Sequence, residues 1–141
     1  MPNPTPWGLG LCAPKKPKTK TPESLVLKAV LAYLRVCRLG KVTRNNVGMV
    51  WTGGCTGAGR PVRFGTPGQA DVTVSLTGDP RQIHVECKAG KGTLTDAQRA
   101  WGASEIARGN VYLVARSVMD VYTALTDAGF TVPRPGARRA A

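Results

Sequence analysis

The chain has 141 residues, with 20 Lys and Arg against eight Asp and Glu, for a net charge of +12. A chain this long buries roughly 68–70% of its unfolded surface, so one domain with its own core is expected, without a disulfide framework or structural metal. No apolar run approaches membrane-spanning length. The four cysteines are scattered and His84 is the only histidine, which argues against a zinc site and for a reducing, cytoplasmic setting.

Residues 1–20 form a proline-rich basic arm with Lys15, Lys16, Lys18 and Lys20. It has too little apolar surface to pack and is expected to be disordered. Thr21-Pro22-Glu23 opens a helix: Thr caps it, Pro takes the first position and an acid follows. Val26, Leu27, Val30, Leu34 and Cys37 recur at helical spacing. Glu23 continues the Leu27–Val30–Leu34 line, at one end of the buried stripe. Gly40 is expected to end this helix. Val47–Trp51 reads as a strand, followed by a glycine-rich connection and a short strand or loop end at Val62–Phe64.

Two clearer strands follow. Val72, Val74 and Leu76 alternate with Asp71, Thr73 and Ser75, and Ile83, Val85 and Cys87 alternate with His84, Glu86 and Lys88. Thr77–Arg81 between them is turn chemistry. Two registers are open. Thr77 opposite Gln82 sets Asp71 against Lys88, and Leu76 opposite Arg81 sets Asp71 against Glu86. Either way Asp71, Glu86 and Lys88 share one face. Thr95–Gln98 starts a helix with a capping-box pattern, ending near Gly109. Asn110–Ala115 is an apolar strand, and Ser117 opens a last helix that ends at Gly129. The domain then spans 21–132, with a basic tail at 133–141. The expected fold class is α/β, a mixed β-sheet flanked by helices.

Two carboxylates on one half-buried face repel each other and lose hydration. One lysine offsets one charge, whereas a divalent metal offsets both. Carboxylate oxygens suit Mg²⁺, with Mn²⁺ able to substitute. A metal held there stabilises charge on a phosphodiester under attack, a neighbouring lysine adds to that, and the basic surface draws in the polyanion. Other readings of the same residues are a cross-strand ion pair for Asp71, Glu86 and Lys88, a helix-dipole partner for Glu23 and a simple cap for Gln98. Arg44, Asn45, Arg63 and Lys91 are candidate phosphate contacts, together with the arm lysines. His84 is expected to be a polar sheet residue and Trp101 a core residue.

Three motifs lie in order along the chain: G-x-P-G-x-A-D ending on Asp71, V-E-C-K carrying Glu86 and Lys88, and L-T-x-A-Q-R-A-W carrying Gln98. Together they resemble the PD-(D/E)XK nucleases, and more narrowly their VRR-NUC branch, small stand-alone versions of which occur in bacteriophages. The likeness runs from about Glu23 to Leu125. One departure is Ala70, where the family has proline. The resemblance implies a restriction-endonuclease-like core in αβββαβα order. It implies metal ligation by Asp71, Glu86 and the backbone carbonyl of Cys87, with Glu23 acting through water or a second metal. Lys88 would be the catalytic cation and Gln98 would orient the site. The implied activity is Mg²⁺-dependent cleavage of DNA, of four-way (Holliday) junctions in particular, by a homodimer in the cytoplasm of a bacterial host. The competing expectations are a non-cleaving basic DNA-binding module, and a nuclease for flaps, nicks or RNA.

Overall fold

The computed structural model describes residues 20–53 and 59–137. Helix α1 spans Pro22–Cys37, and Thr21 Oγ1 accepts a hydrogen bond from Ser24 N at its start. Strands β1 (Gly40–Arg44), β2 (Gly48–Trp51), β3 (Pro61–Phe64), β4 (Val72–Leu76) and β5 (Gln82–Cys87) follow, then α2 (Asp96–Ala107), β6 (Val111–Ala115) and α3 (Val118–Asp127). A four-stranded mixed sheet has the order β1-β4-β5-β6, with β5 antiparallel to β4 and parallel to β6. Strands β2 and β3 form a separate hairpin.

The expected α/β architecture, a mixed sheet with three helices, is present. One strand was not anticipated. The sheet's first edge is Gly40–Arg44, and Val47–Trp51 instead builds the detached hairpin with Pro61–Phe64. Gly40 is therefore not the stop of α1. Arg38 turns the chain, in the left-handed conformation at φ 53°, and Gly40 opens β1.

The two faces of the sheet are covered differently. Val72, Val74, Ile83, Val85, Cys87, Leu113 and Ala115 pack with Leu27, Val30 and Leu34 of α1 and with Val121 and Leu125 of α3. Burying each large aliphatic side chain of this set stabilises the fold by about 1.5–3 kcal/mol. Helix α2 covers the opposite face. Trp101 meets the His84 ring edge-on at 4.8 Å and also lies against Tyr112. A Cβ on Gly102 would come within 2.7 Å of the Tyr112 ring, so only glycine lets α2 approach this closely. Strand β5 is therefore buried on both sides although its sequence alternates.

The β4–β5 register is the tighter of the two expected, with Val72 opposite Val85 and Ser75 opposite Gln82. Thr77 N donates to Leu39 O on the β1 side, and Gln82 N donates to Asn110 Oδ1. Continued one step, the observed register sets Asp71 against Glu86.

Candidate metal centre

The two acids reach one place by different routes. Asp71 immediately precedes β4, and its backbone is held from both sides. Asn45 N donates to Asp71 O at 2.7 Å, while Asn45 Nδ2 donates to Ala70 O and to Thr73 Oγ1, each at 2.8 Å. The carboxylate turns inward, where Oδ2 accepts from Cys87 N at 2.8 Å. Gly68, three residues earlier, sits at φ +80° against the backbone of Ala97. The glycine turn thus seats the Asp71 segment on the first turn of α2.

Glu86 lies near the end of the central strand and is 1% exposed. Its Oε1 accepts from Gln98 Nε2 and lies 2.9 Å from Lys88 Nζ. Gln98 also closes the α2 cap, since its Oε1 accepts from Thr95 N while its own N donates to Thr95 Oγ1. The capping role and the site role are therefore both filled by one side chain. Glu23, on the first turn of α1, keeps a side chain 51% exposed, with Oε1 3.8 Å from Lys88 Nζ. Carboxylate oxygens of Glu23, Asp71 and Glu86 lie within 4.8 Å of one another.

The electrostatics follow from burial. Burial pushes the Glu86 carboxyl above its ordinary range; Lys88 opposes this, and the nearby Asp71 charge adds to it. Burial also raises Asp71, against the lowering effect of the Cys87 amide. Burial alone would lower Lys88, but its hydrogen bond to Glu86 and the surrounding carboxylates hold it above the ordinary lysine value. Three carboxylates and one ammonium leave two negative charges uncompensated. Glu86 Oε2 is buried with no hydrogen-bond partner among the described residues. An unsatisfied buried polar atom costs about 1–3 kcal/mol, more when charged. An all-oxygen donor set with a residual charge of two fits Mg²⁺ or Mn²⁺.

Five of the expected site residues thus converge: Asp71, Glu86, Lys88, Gln98 and Glu23. Cys87 contributes its backbone, and its thiol faces the core, where burial pushes it up to about 12. The proposed phosphate contacts are dispersed. Arg44 is exposed and lines a hollow beside Asp71 with Asn46 and Phe64. Arg63 is exposed on the hairpin, opposite Met49. Lys91 is exposed on the loop after Lys88, and Lys20 is exposed before α1. Lys15, Lys16 and Lys18 lie outside the described residues. Asn45 is part-buried, and both hydrogens of its side-chain amide go to Ala70 O and Thr73 Oγ1 beside Asp71.

Thr73, Glu105 and Tyr112, which join His84 here, were not singled out for this region. Thr73 Oγ1 lies 3.0 Å from His84 Nδ1, and His84 Nε2 lies 3.3 Å from Glu105 Oε2, without hydrogen-bond alignment. Glu105, buried on α2, accepts from Arg108 and Asn110. Burial lowers the His84 pKa against the pull of Glu105. The Tyr112 hydroxyl is buried without a partner among the described residues, and burial, aided by the charges of Glu86 and Asp71, pushes it up to about 12. Only the alternation that put His84 on the site face could have pointed to this layer. Comparison of the chain with protein-family models, curated proteins and solved structures returns no match.

Proposed function

We propose that this chain is a metal-dependent nuclease that hydrolyses DNA phosphodiester bonds, with a restriction-endonuclease-like core of the VRR-NUC kind. The observation that carries this reading is the convergence of Glu23, Asp71 and Glu86 beside Lys88, with one buried Glu86 oxygen unpartnered among the described residues. Asp71, Glu86 and the Cys87 carbonyl would hold Mg²⁺, with Glu23 acting through water or at a second ion. An ion held by these residues would supply a water of lowered pKa and stabilisation of charge on the phosphodiester.

The chain's own residues do the rest. Gln98 fixes the Glu86 carboxylate from the α2 side, and the Cys87 amide fixes Asp71 from β5. Lys88 stays protonated between Glu86 and Glu23 and presents a fixed positive charge where negative charge grows on the phosphate. Arg44, which lines the hollow beside Asp71, would take a neighbouring phosphate. The net charge of +12 draws a polyanion to the surface. Four-way junctions are the proposed substrate, cut by two copies of the chain acting on opposing strands.

The experiment is a panel of linear, flapped, forked and four-way DNAs, with matched RNA duplexes, incubated in Mg²⁺ or in EDTA. Cutting in Mg²⁺ alone, strongest on four-way DNA, is expected. Glu86→Ala and Lys88→Ala should abolish cutting while DNA binding persists. No cutting of any substrate in Mg²⁺ or Mn²⁺ would leave a non-cleaving DNA-binding module. Cutting confined to RNA would move the activity to another polymer.

A further inference from the structure

Charge is divided unevenly along the chain. Residues 1–70 hold eleven Lys and Arg and a single acid, Glu23, whereas residues 71–141 hold nine Lys and Arg and seven acids. The acids of the second part serve as partners: Arg81, Lys88, Arg99 and Arg108 each meet a carboxylate. The first part is different. Lys20, Lys28, Arg35, Arg38, Lys41, Arg44, Arg60 and Arg63 are all exposed, and none forms an ion pair among the described residues.

Four of these cations surround one groove. Ser24, Lys28, Leu31 and Arg35 recur at spacings of four, three and four, and so share one side of α1. Together with Lys20, ahead of the helix, and Arg44, on the edge strand β1, they line a groove in which no acidic residue takes part. Leu27 and Arg44 also line the hollow beside Asp71, so the groove leads toward the carboxylate cluster. Charges of one sign around a cleft repel each other, and its low-dielectric walls focus their field outward. Residues 1–19 hold no acid that could offset them. Arg35, in the last turn of α1, also complements the helix dipole, but that accounts for one cation of the four.

We propose that this groove carries the sugar-phosphate backbone of one DNA strand to the carboxylate cluster. At ~1.5 Å of rise per residue, Lys28 and Arg35 stand about 10 Å apart along α1, which matches roughly three phosphates of one strand. The destination of the strand rests on the nuclease reading; its ligand rests on the unpaired cations alone.

The test is binding of the full chain to a short DNA duplex in EDTA, over a series of salt concentrations. Lys28→Gln and Arg35→Gln place a good helix former at exposed positions of α1, and circular dichroism shows that each variant is folded. Each should weaken binding several-fold and make the dependence of log K on log salt shallower by about 0.9, and both together by about 1.8, because every lost phosphate contact leaves its counterions in place. Lys28→Arg should keep the parental slope. Arg81→Gln removes the same charge at the opposite end of β5 from Glu86 and should leave the slope unchanged. An unchanged slope in the double variant, or an equal change in Arg81→Gln, would overturn the inference. So would a change of slope seen only with a matched RNA duplex, or poly-glutamate displacing the duplex as well as competitor DNA of equal charge does. The two readings fail separately. Cutting in Mg²⁺ with no change of slope would remove the groove and keep the nuclease; a changed slope in a chain that never cuts would remove the nuclease and keep the groove.

Discussion

Lys88→Met is the perturbation whose size follows most directly from the site. Lys88 Nζ lies 2.9 Å from Glu86 Oε1, with the two side chains 10% and 1% exposed. Removing one member of a buried, hydrogen-bonded ion pair costs about 3–5 kcal/mol, because the other charge is left uncompensated. Glu86 also carries an oxygen with no partner among the described residues, so its dependence on Lys88 belongs at the upper end of that range. Neutralising both members removes the stranded charge. The double variant Lys88→Met/Glu86→Gln should therefore lie within about 1.5 kcal/mol of the parent, a coupling of at least about 3 kcal/mol between the two sites. Urea unfolding in EDTA at neutral pH, with equal slopes across the four proteins, measures this cycle. Mn²⁺ should stabilise Lys88→Met more than it stabilises the parent, since the ion takes over the missing positive charge. A cost for Lys88→Met below about 1 kcal/mol, typical of an exposed pair, would refute the reasoning. So would an equal cost in the Glu86→Gln background.

Three further outcomes are expected. Asn45→Ala and Asn45→Asp should be equally defective, because both lose the donor that holds Ala70 O and Thr73 Oγ1; Mn²⁺ affinity measured by calorimetry should fall about 10–100-fold, as when a second layer of support around a metal is removed. Gln98→Glu retains an oxygen for the Thr95 amide but sets a like charge against Glu86, so stability in EDTA should fall and partly return when Mn²⁺ is added, whereas Thr95→Ala should cost about 1 kcal/mol with or without metal. Burial lowers the His84 pKa, so the unfolded chain binds this proton more readily than the folded one. Stability should therefore fall as pH drops below about 6.5, the unperturbed histidine value; urea midpoints from pH 7.5 to 5 should show the decline, and His84→Gln should flatten it.

Much of this was legible in the chain because local chemistry and burial agree. Thr21, Thr95 and Ser117 each cap a helix where a hydroxyl precedes an apolar-periodic run. The alternation in β4 and β5 put Asp71, Glu86 and Lys88 on one face before any geometry was available. The misses share a cause, which is long-range pairing that leaves no local pattern. Strand β1 reads GKVTR and is an edge strand with a largely exposed burial pattern, so its single apolar side chain, Val42, gives no alternation to mark it. Its place depends on β4, more than 25 residues away. The β4–β5 register was undecidable from the turn itself, because the two closures differ by two residues and keep the same side chains on the same face. Asn45 looked like a surface polar residue near basic neighbours. Its real partners, Ala70 and Thr73, are adjacent only once β1 lies against β4.

The central claim is that Asp71 and Glu86 jointly hold a divalent ion beside Lys88. Anomalous diffraction from crystals soaked in Mn²⁺ tests it most directly. The account predicts a manganese peak at bonding distance from an oxygen of Asp71 and from Glu86 Oε2, lost in Glu86→Gln. A fully occupied soak with no peak between those carboxylates, or one that persists unchanged in Glu86→Gln, would contradict it.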